Sequence, residues 1–281
     1  WIREDIPKAL KTYGFEEGKN VTTEFRFADS RRERLPALAN ELVRGKAELI
    51  VTGGNDAAFA AKQSTGVVPI VMAFSALPVE SGLVQSYARP GANITGFDWV
   101  PTVDMDVKRY QILKAAVPHA RRVAILRHPN PTNEHLWNEE HRRRISSTTG
   151  LSVEVITVKQ PEDFAAALNR VIEINPDVLA VSVDITYYRE VAEFAAKRKL
   201  VSLSSTGYTS AGGVLMHTAH LSTMTDRIAC YIAKILRGTK PSDLPVELPT
   251  RYDLVLNKKV ADATGVKFPP SFMVQVDRVV E

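Results

Sequence analysis

The chain has 281 residues, 44% hydrophobic and 24% charged, too long for one small core and suited to two globular domains of ordinary size. Its 36 Lys and Arg against 32 Asp and Glu leave a formal charge of +4. The basic residues are scattered apart from Arg31-Arg32 and Arg142-Arg143-Arg144, so nothing marks a nucleic-acid surface. A lone cysteine, Cys230, excludes an internal disulfide and any multi-cysteine metal site, and no apolar run approaches the length of about 18 residues that a membrane span needs.

Ile2 to Tyr13 reads as a helix through Ile2, Ile6, Ala9 and Leu10. Wound sheets usually open on a strand, so a strand is expected upstream of Trp1, in the stretch that would also carry any secretory signal. Strands follow near Val21 to Phe27, Ala47 to Thr52, Val68 to Ala73 and Ile94 to Phe97, with helices between them. Leu35, Leu38, Ala39, Leu42 and Val43 make one apolar stripe, which is core and not a cofactor box. A second part opens with a helix around Val103 to Val117. It continues with strands near Arg122 to Leu126, Leu151 to Val158, Asp177 to Val183 and Leu200 to Ser204, and Phe164 to Ile172 repeats the helical stripe. Near-continuous Val/Ile/Leu strands must be covered on both faces. The expected fold is α/β: two doubly wound three-layer (αβα) lobes with parallel sheets.

Ile228, Tyr231, Ile232, Ile235 and Leu236 form a further helical stripe ending at Gly238, and Pro241, Pro245 and Pro249 then lead to a strand at Tyr252 to Leu256. If the Leu221 to Arg237 helix packs on the first lobe, the chain crosses between lobes three times and forms a multi-crossing hinge. The first lobe is then residues 1–98 plus about 221–249, and the second about 99–220 plus 250–281.

In wound sheets ligands sit outside the carboxyl ends of the strands, so the loops there hold the candidate site. Gly53-Gly54-Asn55-Asp56 follows a strand and opens a helix: Asn55 or Asp56 can cap it, and its free N–H groups, with Gly54 for the turn, can seat a carboxylate. The same residues also read as a plain βα turn, and they are not GxGxxG, so no dinucleotide is indicated. Phe74 and Ser75 pair an aromatic ring with a small hydroxyl, which suits an organic solute or the closing of a sheet end; Trp99 reads as packing. In the second lobe Asn130, Thr132 and Asn133, with Thr132 or Asn133 near a helix N-cap, then Asp184 and Tyr187, then Thr206 and Tyr208 occupy three successive loops. A carboxylate there suits a ligand ammonium group and tyrosines suit an aromatic ring, or each is a cap or a lobe contact.

Catalytic constellations are missing from this pattern. His217-x-x-His220 lacks a third ligand, no HExxH or GxSxG occurs, Cys230 falls on an apolar helical stripe, and Glu139-Glu140 reads as solvated charge. The sequence therefore indicates neither an enzyme, a metal nor a cofactor.

Ser81-Gly82-Leu83-Val84 through Ala88-Arg89-Pro90-Gly91-Ala92-Asn93-Ile94-Thr95-Gly96 resembles a passage of the ABC-transporter substrate-binding proteins, in the group whose best-understood members bind tryptophan or tyrosine. Gly14-Phe15 with Glu17 to Val21, Ala60 to Thr65 with Pro69 to Val71, Leu113 to Pro118, Ala211-Gly212-Gly213 and Ile235 to Glu247 match in order, so the resemblance spans nearly the whole chain. It implies a periplasmic-binding-protein fold of type 1 with a strand before the first helix. It also implies a small organic ligand, an amino acid or an aromatic or branched carboxylate, gripped between the lobes, ligand-induced closure and delivery to an ABC permease. The expected protein is a periplasmic or otherwise extracytoplasmic monomer whose signal peptide has been removed. Leu77 stands where many relatives carry an acidic residue, and His217-Thr218-Ala219 stands where they read Ser-Tyr-Gly. Both departures lie near the expected mouth of the site, which adds His217 to the candidates and leaves the ligand's identity open. The same fold serves as the effector-sensing half of transcription regulators, which is the alternative reading.

Overall fold

The computed structural model describes residues 2–29, 31–99, 102–129, 138–205 and 207–281. Two compact units emerge, Trp1–Val100 with His220–Arg251, and Pro101–Ala219 with Tyr252–Glu281.

The first unit carries a parallel sheet of β1 (Ile50–Gly53), β2 (Ile70–Ser75) and β3 (Ile94–Asp98), in that order. Ile50, Ile70, Met72 and Ile94 pack on one face with Ala58 and Ala61 of α3 (Asn55–Ser64), next to which lies α2 (Leu35–Arg44). Alternation sends Thr95 and Phe97 to the other face, where α8 (Leu221–Leu236) packs together with α1 (Asp5–Thr12). There the Phe97 ring lies 5.0 Å from that of Tyr231, and Thr95 Oγ1 donates to the Leu244 carbonyl at 2.7 Å. Glu247 bridges to Phe97 along the outer edge of β3, and Arg227 on α8 grips its carboxylate in a forked ion pair.

Val21 to Phe27 is not a strand. Its side chains do alternate in exposure, but apart from a single bridge between Glu17 and Val21 its backbone joins no ladder among the described residues. Period-two patterning reports which way side chains point, whereas a strand also needs a partner for its N–H and C=O groups.

The second unit holds a seven-stranded sheet, β10-β9-β8-β7-β6-β4-β5, formed by β4 (Arg122–Arg127), β5 (Ser152–Thr157), β6 (Val178–Ser182), β7 (Val201–Ser204), β8 (Leu215–Ala219), β9 (Tyr252–Asn257) and β10 (Arg278–Val280). Buried side chains line both faces. One core joins α4 (Val103–Ala116), Ile145 of α5 (Glu139–Thr149) and Phe272 of α10 (Pro270–Met273) to the sheet; the other joins α6 (Phe164–Ile174) and α7 (Tyr188–Lys197). Both units are thus three-layer α/β, as expected. The expectation of purely parallel sheets needs one correction: β9 pairs antiparallel with β8, and β10 follows β9. The short elements β8, α9 (Lys258–Thr264), α10 and β10 carry too few apolar residues in register to announce themselves.

Candidate functional site

At the carboxyl end of the first unit's sheet, β1 passes through Gly53 and Gly54 into α3. Gly54 is the N-cap, at φ +89°, and no side chain caps the helix, which corrects the expected cap by Asn55 or Asp56. The Asn55 side chain is used elsewhere: its Nδ2 donates to the Ala76 carbonyl at 2.7 Å and its Oδ1 accepts from the Ala76 amide at 2.8 Å. Asn55 therefore fastens the loop after β2 to the start of α3. We expect Asn55→Ala to cost about 1–2 kcal/mol, measured by urea unfolding, since two half-buried backbone groups lose a partner.

Asp56 is exposed and pairs with Arg32 at 3.1 Å, and Ser75 Oγ donates to the Phe97 carbonyl at 2.8 Å. The half-buried Phe74 ring lies over Gly53 and Gly54, with Trp99 tilted beside it at 6.2 Å. Asp98, 1% exposed, accepts from Tyr87 Oη at 2.6 Å and from the Leu77 amide at 3.2 Å. Burial and this carboxylate push the Tyr87 phenol above its ordinary value, so it remains a donor. At this end the α3 N-terminus has no side-chain cap.

In the second unit the sheet order places β5 on one side of β4 and β6 on the other. That reversal is a topological switch point, where wound sheets form a ligand crevice at the carboxyl ends of their strands. A cavity with room for about one water, about 10 Å³, lies there. It is bounded by Ile125 of β4, Val181 and Ser182 of β6, Ser204 of β7 and, from α4, Arg109 and Tyr110. Asp106 of α4 lines it too and is 4% exposed: its Oδ2 lies 2.8 Å from Nε2 of the buried His141 on α5, and its Oδ1 lies 3.6 Å from Arg109 Nη1. Sequence reasoning missed this cluster. A signal existed: Asp106 shares a helical face with Tyr110, Leu113 and Val117, all buried, and a carboxylate on an apolar stripe calls for buried partners.

The candidates predicted for this unit are dispersed among several roles. Asp184 caps a short turn, accepting from the Thr186 amide at 2.9 Å, and is exposed. Tyr187 stacks on Phe164 with centroids 4.5 Å apart. Tyr208 is fully buried, donates to Ser202 Oγ at 2.8 Å and lies edge-on to Tyr188, so it has no face left for a ligand. His217, 6% exposed on β8, stacks on Tyr252, with its Nδ1 lacking a hydrogen-bond partner among the described residues. Desolvation, together with the positive charges of Arg109 and Lys108, lowers it to about 4, so it is neutral at pH 7. Asn130, Thr132, Asn133 and Thr206 lie outside the described residues. The helix N-cap expected near Thr132 or Asn133 therefore falls outside the described residues; α5 is capped by Asn138, which accepts from the His141 amide. His220 caps α8 through Nδ1, and among the described residues no group of three or more His, Cys, Asp or Glu could hold a metal. No described helix is long and apolar enough to cross a membrane.

Comparison with known proteins follows the same outline. The chain is 24% identical to a tyrosine-binding protein of Clostridioides difficile, over 92% of this chain and 75% of that one. Its fold matches a conserved domain protein of Vibrio cholerae at a TM-score of 0.83 and 23% identity, over 99% of this chain and 94% of the other. It likewise matches an ABC domain from Streptococcus pneumonia in complex with L-Trp, at a TM-score of 0.79 and 23% identity over 99% and 96% of the two chains. Residues 1–280 fit the profile of a family of solute-binding proteins and not of enzymes; the chain belongs to the ABC transporter substrate binding protein family.

Proposed function

We propose that this protein is the solute-binding component of an ABC importer, capturing a small organic acid or amino acid outside the cytoplasm and handing it to a membrane permease. The observation that carries this reading is the family match across residues 1–280; the tyrosine-binding relative and the L-Trp complex support an amino acid or aromatic carboxylate as ligand. The two compact units are the two lobes, and the protein acts as a monomer. The candidate ligand-binding residues are Gly54 to Asp56 and Phe74 in the first unit, and Asp184 and His217 in the second. Asn55, Ser75, Tyr187 and Tyr208 support them through the contacts they already make.

A thermal-shift screen with L-tyrosine, L-tryptophan and benzoate tests this. At 100 times its dissociation constant a ligand adds about 2.7 kcal/mol to stability, which raises the melting temperature by about 5 °C. If amino acids and aromatic acids all leave the melting temperature unmoved, the ligand class is wrong.

A further inference from the structure

The second unit separates its charges by end. At the carboxyl ends of its parallel strands the helices open on acidic residues, Asp104 in α4, Glu139 and Glu140 in α5 and Glu190 in α7, as the positive end of a helix dipole favours. Arg142, Arg143 and Arg144 there are paired with Glu139 and Asp104. The opposite end is basic. Strands β4, β6 and β7 start at that end, and β9, running against β8, finishes there, where the Asn257 amide donates to the Val214 carbonyl at 2.9 Å. Lys197, Arg198 and Lys199 close α7 on the way into β7, Lys258 and Lys259 open α9 directly after β9, and Arg121 precedes β4. Helices α7 and α9 are neighbours, and all six of these side chains are exposed.

Local structure accounts for part of this. Cations suit the negative carboxyl end of a helix, which covers Lys197 to Lys199. It does not cover α9: Lys258 and Lys259 stand at the positive amino end, with no acidic residue in the first turn, and both work against the dipole. Lys199 keeps its charge at φ +57°, a position after a helix that glycine or asparagine fills at less cost. Carboxylates do not neutralise the surface either. Asp177 is committed to the Arg121 and Arg122 amides at 2.7 and 2.9 Å, and Asp262 to Lys258 at 2.5 Å. The side chains of Lys197, Lys199 and Lys259 have no ion-pair or hydrogen-bond partner among the described residues. Their mutual repulsion is relieved only by an anionic partner. From β4 to β9 this end spans four strand spacings, about 19 Å. Point charges spread over that width on flexible stems suit many mobile phosphates better than one shaped ligand.

We propose that this basic end docks on the anionic phospholipid surface of the membrane. The docking goes beyond the solute-binding reading: it concentrates the protein at the bilayer whichever solute it carries.

Co-sedimentation of the full chain with lipid vesicles tests this. At about 50 mM salt, wild type binds phosphatidylcholine vesicles containing about 30% phosphatidylglycerol at least about 10-fold more strongly than phosphatidylcholine alone, and about 500 mM salt removes the preference. Combining Lys197→Gln, Lys199→Gln and Lys259→Gln weakens binding by about 10- to 100-fold, since each cation near the surface is worth about 5-fold. Removing Lys259 from the wrong end of the α9 dipole keeps the melting temperature of this variant at or slightly above that of wild type, which separates lost docking from misfolding. Lys8→Gln, Lys46→Gln and Lys240→Gln, at exposed lysines of the first unit, change the net charge equally and reduce binding by less than about 3-fold. Equal binding to anionic and neutral vesicles overturns the inference, as does docking that survives the first triple substitution within about 3-fold or falls equally in the second. Wild type that binds soluble poly-L-glutamate and no vesicle also overturns it and assigns the surface to an acidic protein. The thermal-shift screen judges the solute-binding reading separately in every case.

Discussion

Gly96→Ala is expected to destabilise the first unit by about 4 kcal/mol or more, lowering its melting temperature by about 10 °C and leaving much of the protein insoluble on expression. Gly96 is a β3 residue paired with Met72 of β2, but its φ is +142°, a region that side chains avoid. At that angle a Cβ leaves the normal face of the sheet and turns into its plane. It would fall against the Met72 carbonyl oxygen and 2.6 Å from the Met72 nitrogen, atoms that belong to the sheet's own backbone and cannot swing aside. Relief would require β2 and β3 to separate, exposing Ile70, Met72 and Ile94, which are 0% exposed.

Gly66→Ala is the matched control. No atom lies within 4 Å of the added methyl and the backbone angle is not restrictive there, so the melting temperature should stay within about 2 °C or rise slightly. Equal losses in the two variants, read by differential scanning calorimetry, would mean that close backbone approach is not what Gly96 provides.

Gly96 also shows what could be read in advance. It closes the Arg89-Pro90-Gly91-Ala92-Asn93-Ile94-Thr95-Gly96 passage that carries the family resemblance, and the sequence marks it as a motif residue without revealing the clash that fixes it. Buried apolar strands and amphipathic helices were legible because burial imposes a period of 2 or 3.6 on side chains. The segment from Val21 to Phe27 misled because it shows that period with no ladder to join. Among the candidate site residues, location was legible and commitment was not. Asn55, Ser75 and Tyr208 lie in or beside turns at strand ends, yet their polar atoms are taken by Ala76, Phe97 and Ser202, partners distant or unpatterned in sequence. The Asp106, Arg109 and His141 cluster escaped because its members lie on two helices and only the tertiary fold brings them together.

Stability between pH 6.5 and pH 4 should fall by about 3 kcal/mol through His217 alone. The ring is held at about 4 in the folded chain, chiefly by burial between β8 and β9 and then by the charges of Arg109 and Lys108 on α4, with Asp277 ahead of β10 opposing weakly. Its ordinary value is near 6.5. A histidine whose folded value lies below its unfolded one favours the native state fully above about 6.5, because both forms are then neutral. As pH drops, the unfolded chain takes up the proton first, and the advantage drains away until the folded ring also titrates near 4. The span between those two values sets the size of the loss, about 3 kcal/mol. Urea unfolding of wild type and His217→Gln at intervals from pH 8 to pH 4 isolates the contribution, since carboxylate titration is common to both proteins. The difference between the two curves should be flat above pH 7 and change steadily below 6.5. A difference that stays constant down to pH 4 would show that His217 is not what makes the fold acid-sensitive.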